Sequence, residues 1–326
     1  MTDAALQQLR DVAQRGDAVQ VHALLALRLS GYFFESTYGR ALTAAVCNDH
    51  VSSVAAFQAW CSPTHVSRTR LVAVAARHNS LQVLALLITA KASVNSAVTP
   101  LIFAAGKGHL SCVSLLLAVK ATVNLLHAGA DALHYAARRG HADVVECLVH
   151  ANADFHSHDI NGRTPLSVAA AGSHEHVLRV LLDARANVNL SSRPRHKLNS
   201  KPLTAACYSS LPPNVFRLLL DARADVHVAT TYWGDTVLSL AAQTGRPDTV
   251  IKMILRAKAN VHSASADCYT ALHQAAKYGR RSIVDLLLRA KADVRAVTTD
   301  GDTALTLACR YNHLALAAYF ETRTCT

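Results

Sequence analysis

Carboxylates are missing from two long stretches of this chain. None falls between Asp49 and Asp131, where Arg68, Arg70, Arg77, Lys91, Lys107 and Lys120 lie. None falls from Ala184 to Leu220, which holds Arg185, Arg193, Arg195, Lys197, Lys201 and Arg217. With a net charge of +11, this bias points to acidic partners or anionic surfaces and leaves the fold open. Aromatic residues are only 6% of the chain, too few for one thick core, whereas abundant Ala and Leu suit thin, closely stacked helices. The eight cysteines form no C-x-x-C pair. That excludes the common zinc and dithiol frameworks and favours reduced thiols inside a cell. No apolar run is long enough to span a bilayer, and the polar start MTDAALQQLRDV is not a secretory signal. The expected setting is the cytoplasm, with the nucleus as alternative. There is no G-x-S-x-G elbow, H-E-x-x-H helix or kinase signature, and AAGKGH around Lys107 lacks the full phosphate loop. No enzyme activity, cofactor or metal is expected.

What the chain has is a phrase that returns: T-x-L-x-x-A-A-x-x-G-H-x-x-V-V-x-x-L-L-x-A-x-A-D-V-N. Its anchors are Leu9, Leu42, Leu71, Leu101, Leu133, Leu166, Leu203, Leu238, Leu272 and Leu305, at intervals of 33, 29, 30, 32, 33, 37, 35, 34 and 33. Each copy predicts a short helix with the anchor Leu and an Ala-Ala pair, a G-H turn, then a second helix with apolar residues at helical spacing. Thr99, Thr164, Thr236, Thr270 and Thr303 stand where the first helix needs an N-cap. Pro100, Pro165 and Pro202 suit its first turn. One copy cannot bury its apolar face alone, so stacking must supply the core.

This phrase, with its T-P-L, A-A and G-H elements repeating in register, resembles the ankyrin repeat. The resemblance implies an all-α solenoid with short β-hairpin-like fingers between helix pairs, forming a single domain over residues 1–326. The units are expected near 6–35 (N-cap), 39–66, 69–97, 98–128, 130–160, 163–190, 200–230, 235–265, 269–298 and 302–326 (C-cap). It also implies structural roles for His50, His109, His141, His174 and His313 in the G-H turns.

The main departure lies after the second helix, where the family normally has Gly. Here Lys91, Lys120, Arg185, Arg223, Lys258, Lys291 and Asn152 fill the slot. Held left-handed, each base would lose roughly 1–2 kcal/mol, partly offset by roughly 0.3–1 kcal/mol from a cation near a helix C-terminus. A basic, proline-broken insertion, SSRPRHKLNSKP, separates two copies, and SSLPPN places prolines at the start of another second helix. The cluster His156, His158 and Asp159 could hold a metal only if further ligands converged, and a polar loop is the simpler account.

The functional signal lies in the positions just after each Ala-Ala pair, which the family's fold exposes on its concave face. They read Arg77 and His78, Lys107, Arg138 and Arg139, Tyr208, Gln243, Lys277 and Tyr278, then Arg310 and Tyr311. Arg and Tyr anchor interfaces because each buries much area and still hydrogen-bonds. Finger tips add Arg163, Tyr232 and Trp233, while Asp235, Asp267, Asp300 and Asp302 make the late fingers acidic. The expected function is a non-catalytic, monomeric scaffold or adaptor whose groove and fingers bind a protein partner, an acidic one in the first instance, and no small-molecule substrate. Two alternatives stand beside it: a module binding nucleic acid or acidic membrane, and a substrate-recognition arm of a ubiquitin-ligase-type complex.

Overall fold

The computed structural model describes residues 3–26, 33–60, 68–95, 99–190, 201–208, 213–230 and 233–324. Among them are twenty α-helices and no sheet. They form ten consecutive pairs, one for each anchor leucine of the sequence. Cα proximity groups the residues into two compact units, Met1–Asp154 and Phe155–Thr326.

In the first unit the first helices of the pairs are α1 (Asp3–Arg15), α3 (Phe33–Cys47), α5 (Arg68–His78), α7 (Pro100–Lys107) and α9 (Ala132–Arg139). Their partners are α2 (Ala18–Ala26), α4 (Val51–Trp60), α6 (Leu81–Thr89), α8 (Leu110–Ala118) and α10 (Ala142–His150). Each first helix packs on the next, and each second helix does likewise. In the second unit the first helices are α11 (Pro165–Ala171), α13 (Pro202–Cys207), α15 (Val237–Gln243), α17 (Ala271–Lys277) and α19 (Ala304–Arg310). Their partners are α12 (Glu175–Asp183), α14 (Pro213–Asp221), α16 (Asp248–Arg256), α18 (Arg281–Arg289) and α20 (Leu314–Thr324).

Burial follows the repeated phrase. Nine anchor leucines, from Leu9 to Leu272, are buried, and so are the Ala-Ala pairs from Ala75-Ala76 to Ala275-Ala276. Small side chains at those pairs let successive first helices approach closely. On the second helices the V-V-x-x-L pattern buries one face, as with Val144, Val145 and Leu148 or Ile283, Val284 and Leu287. Leu305, on the last first helix, is half-exposed. Phe320 on α20 closes that end, fully buried, beside Tyr319, whose hydroxyl donates to Asp285.

Caps fall largely where the Thr positions suggest. Thr164 and Thr236 accept from the N–H of Ser167 and Ser239, and Thr270 and Thr303 form capping boxes with His273 and Thr306. Thr99 is at the N-cap of α7 but makes no side-chain cap bond, and its hydroxyl is buried with no hydrogen-bond partner among the described residues. In the copy anchored at Leu133, which has no Thr at this position, Asp131 caps α9 and its carboxylate accepts from the N–H and Nδ1 of His134. Isolated antiparallel bridges close three fingers, His127 to Ala130, Ala229 to Thr236 and Ala264 to Thr270.

Candidate protein-interaction surface

The C-terminal ends of the first helices are fixed by a clasp between neighbouring repeats. The turn His of one repeat reaches back: His109 Nε2 meets the Arg77 carbonyl at 3.1 Å, and His313 Nε2 meets the Lys277 carbonyl at 3.0 Å. His50 does the same with Gln14 at 2.9 Å. The rings of His50, His141 and His313 lie against the glycine of the preceding turn, whereas the turn before His109 has Asn79 at the left-handed position. A Cβ at Gly279, where φ is +65°, would stand 2.6 Å from His313 Nδ1, and one at Gly108 2.7 Å from His141 Nδ1. The G-H pair is therefore one device, with glycine supplying both the left-handed backbone and the space. These histidines carry structure, as the family resemblance implies.

Two arginines occupy the same register, and the sequence reading missed them. Arg246, only 7% exposed, donates through Nη2 to the Cys207 carbonyl at 2.8 Å. A Cβ on Gly245 would lie 2.6 Å from Arg280 Cζ. The signal was present, since T-G-R and Y-G-R stand where other copies have G-H. Burial lowers the Arg246 pKa and pushes the adjoining Cys207 thiol up to about 12.

The clasp leaves the neighbouring side chains free to face outward. In the first unit Arg77, His78, Lys107, Arg138 and Arg139 are all exposed. Arg77 lies over the Phe103 ring at 5.9 Å, and Arg138 over Tyr135 at 5.9 Å. His78 is held below the usual histidine range, first by partial burial and then by the charges of Arg77, Lys107 and His109. In the second unit Tyr208, Tyr278, Arg310 and Tyr311 are exposed, with Gln243 and Lys277 half-buried. The Lys277 ammonium stands 5.5, 6.0 and 5.3 Å from the rings of Tyr269, Tyr278 and Tyr311. Gln243 Nε2 donates to the Tyr278 hydroxyl at 3.5 Å. Arg310 is bound to the buried Asp302 carboxylate by both terminal nitrogens, one of them at 2.7 Å.

Among the finger residues, Trp233 is 57% exposed, and Tyr232 lies outside the described residues. Arg163 is committed within its own loop. Its Nε and Nη2 donate to Asp159 at 3.0 and 2.8 Å, while the N–H groups of Asn161 and Arg163 occupy the other carboxylate oxygen. Asp159 is thus a fully buried turn former. His156 Nε2 accepts from the Asn187 N–H at 3.0 Å, so His156 and Asp159 both serve the loop.

The slot after each second helix shows how far the chain departs from the Gly pattern. Lys91, Lys120, Asn152, Arg185, Arg223, Lys258 and Lys291 all have φ between 57° and 65°. Each closes its helix with a pair of reverse bonds. Lys258 N–H donates to Leu255 O at 3.0 Å, and Ala259 N–H to Ile254 O at 3.3 Å, the two bonds of a Schellman motif. The seven side chains are exposed, so the strain is local and the charge stays solvated. Most of the insertion SSRPRHKLNSKP, at 191–200, lies outside the described residues.

The family profile described as "Ankyrin repeats (3 copies)" matches at residues 71–159, 133–230, 203–296 and 238–321. Together these cover well over half of the chain. The chain is an ankyrin-repeat protein. Its fold is that of a protein-interaction module, in general a non-catalytic one. Curated relatives include "Probable E3 ubiquitin-protein ligase XBOS32" of Oryza sativa subsp. japonica, 41% identical over 86 residues, which are 26% of this chain and 17% of that protein. "E3 ubiquitin-protein ligase XBAT33" of Arabidopsis thaliana is 39% identical over 108 residues, 32% of this chain and 20% of that protein. The ankyrin-repeat protein thus spans about a fifth of the length of these relatives. Among solved structures, the ankyrin repeat domain of human ASB11 aligns with a TM-score of 0.58 at 26% identity, covering 64% of this chain and 91% of that one. The ankyrin repeat domain of Bcl-3, described as a unique member of the IkappaB protein family, gives 0.56 at 26% identity, covering 64% and 93%.

Proposed function

We propose that this ankyrin-repeat protein is a non-catalytic adaptor that holds a partner protein through the ends of its first helices and its fingers. The observation that carries the reading is the set of large side chains left in solvent at the two positions just after the small-residue pairs. Tyr208, Tyr278 and Tyr311 are 50%, 41% and 45% exposed, each one or two residues beyond its repeat's small-residue pair. Arg310 and Lys277 stand among them. Tyrosine side chains bury large area and hydrogen-bond at little entropic loss, which is what interface anchors need. In the first unit Arg77, His78, Lys107, Arg138 and Arg139 stand at these positions with no acid among them, and the charges of Arg77, Lys107 and His109 add to burial in lowering the His78 pKa. That composition suits an acidic segment of the partner. The described cysteines are all unpaired thiols, in keeping with a reducing, cytoplasmic setting, and no described helix is long and apolar enough to cross a membrane.

Affinity capture with the whole chain tests this. The wild type is compared with Tyr278→Ala/Tyr311→Ala and with Arg138→Glu/Arg139→Glu, each first confirmed folded by circular dichroism. Loss of a specific set of proteins with either variant is the expected result; identical captured sets from all three proteins would sink the surface assignment.

The first unit's basic register also favours a second reading, a polyanion site. Binding to RNA, DNA or anionic vesicles would then fall steeply with salt, as counterion release requires, and titrations that show no such binding remove it. A role as the recognition arm of a ubiquitin-ligase-type complex draws support from the names of the plant relatives alone. Co-capture of ligase subunits is its test.

A further inference from the structure

Three successive fingers of the second unit are tied by their backbones. Ala266 N–H donates to the Trp233 carbonyl at 2.9 Å, and Thr299 N–H to the Asp267 carbonyl at 3.2 Å. This ties the fingers that bear Asp235, Asp267 and Asp300. A cleft of about 450 Å³ opens between the fingers and the helices α15 and α17, lined by these three carboxylates together with Trp233, Tyr269 and Gln274.

None of the three aspartates has an ion-pair partner among the described residues, and Asp235 takes only a long hydroxyl bond from Ser239, at 3.4 Å. Burial, and secondarily the nearby Asp267 charge, raises the Asp235 pKa, as expected of a carboxylate lacking a cation. Lys277 also lines the cleft, with its ammonium over the rings of Tyr269 and Tyr311. Gln274 supplies the independent sign. It is only 8% exposed, and its Oε1 is buried with no hydrogen-bond donor among the described residues. A buried carbonyl without a donor is a standing energetic loss that an incoming N–H group relieves. The missing complement is therefore positive, rich in donors and able to lie against aromatic faces.

We infer that this cleft receives an arginine side chain from an exposed segment of the partner protein. A guanidinium has a planar set of five donors that matches carboxylates in forked pairs, and it stacks on aromatic rings while keeping its charge. An ammonium offers a point charge without the flat face, and a neutral urea of the same shape offers the face without the charge. The inference rests on the proposal that the partner is a protein. The two remain separable, because the captures above report on the helix ends and the following titrations report on the cleft.

The test titrates the full chain with acetyl-Gly-Gly-Arg-Gly-Gly-amide, its Lys counterpart and its citrulline counterpart, read by calorimetry and by quenching of tryptophan fluorescence. Saturable binding of the Arg peptide in the sub-millimolar to millimolar range is expected, at least tenfold tighter than the citrulline peptide and several-fold tighter than the Lys peptide. Asp235→Asn/Asp267→Asn should weaken it at least tenfold, whereas Asp143→Asn in the first unit should leave it unchanged. Gln274→Leu gives a readout that a structural role would not. It should raise the urea midpoint, by removing the unpaired carbonyl, while weakening the Arg peptide. Citrulline or Lys binding equal to Arg, no saturation up to about 10 mM, or indifference to the Asp235→Asn/Asp267→Asn variant would each overturn the assignment.

Discussion

Replacing Lys258 separates two effects that the structure superposes. Its φ is 65° and its side chain is exposed, so no packing is lost in any replacement. Lys258→Gly removes left-handed strain of about 1–2 kcal/mol but adds about 0.4–1 kcal/mol of unfolded-chain entropy to be lost. Glycine should therefore exceed alanine by about 0.8 kcal/mol. Lys258→Ala keeps the strain and gives up the cation at the C-terminal end of α16, about 0.3–1 kcal/mol. At low ionic strength the order should be Gly close to Lys, with Ala below both. In about 1 M salt, where the Debye length falls to about 3 Å, Lys should drop to the level of Ala while Gly keeps its lead. Repeats unfold partly independently, so urea midpoints are best paired with hydrogen exchange of the α16 amides. Equal stabilities for Gly and Ala would refute the left-handed strain. A salt-independent gap between Lys and Ala would refute the dipole account.

Other perturbations test the clasp, the finger and the thiols. Gly279→Ala forces a Cβ into the His313 ring and strains the turn, so it should destabilise the second unit by about 2–3 kcal/mol in urea melts, well beyond His313→Ala. Asp159→Ala removes the acceptor of four N–H bonds and should lose about 2–3 kcal/mol, visible as faster amide exchange at Asn161 and Arg163. Burial lowers the His273 pKa below 6.5. An unfolded chain then binds the proton more readily than the folded one, so this contribution is full above pH 6.5 and is lost as pH falls from 6.5 toward the folded pKa. Wild type minus His273→Gln urea midpoints should show that loss, and a pH-independent difference would contradict it. Iodoacetamide at pH 8 should label the exposed Cys268 and Cys309 in the folded chain. Cys112 and Cys207, with pKa values pushed up to about 11 and about 12, should react only in urea; mass spectrometry of the labelled peptides decides.

Much of the fold could be read from residue order because each repeat is local. The spacing of Leu133, Ala136 and Ala137 against Val144, Val145 and Leu148 specifies two helices and the face each buries, and every copy repeats the instruction. Exposure of Arg138, Tyr278 and Tyr311 followed from the same register. Arg246 and Arg280 escaped notice because they do a histidine's work with another side chain. The cleft was visible in part, since the late fingers read as acidic, but nothing in the order of residues indicated that Trp233, Asp267, Gln274 and Asp300 line a common space.

The sequence by itself determined the period, the helix pairs, the buried stripe and the positions that face solvent, because those depend on contacts within one repeat or between identical neighbours. Only the tertiary structure decided that the seven non-glycine residues in the slot after the second helices stand left-handed, since hydrogen bonding at each helix end overrides their intrinsic preference. Only it committed Arg163 to Asp159 and Arg310 to Asp302, and set Asp235, Asp267 and Asp300 around one cleft with no ion-pair partner among the described residues. The two pairings are set by the folding of single loops, whereas the cleft depends on distances between loops about one repeat apart in the chain, which the stacking of the helices sets.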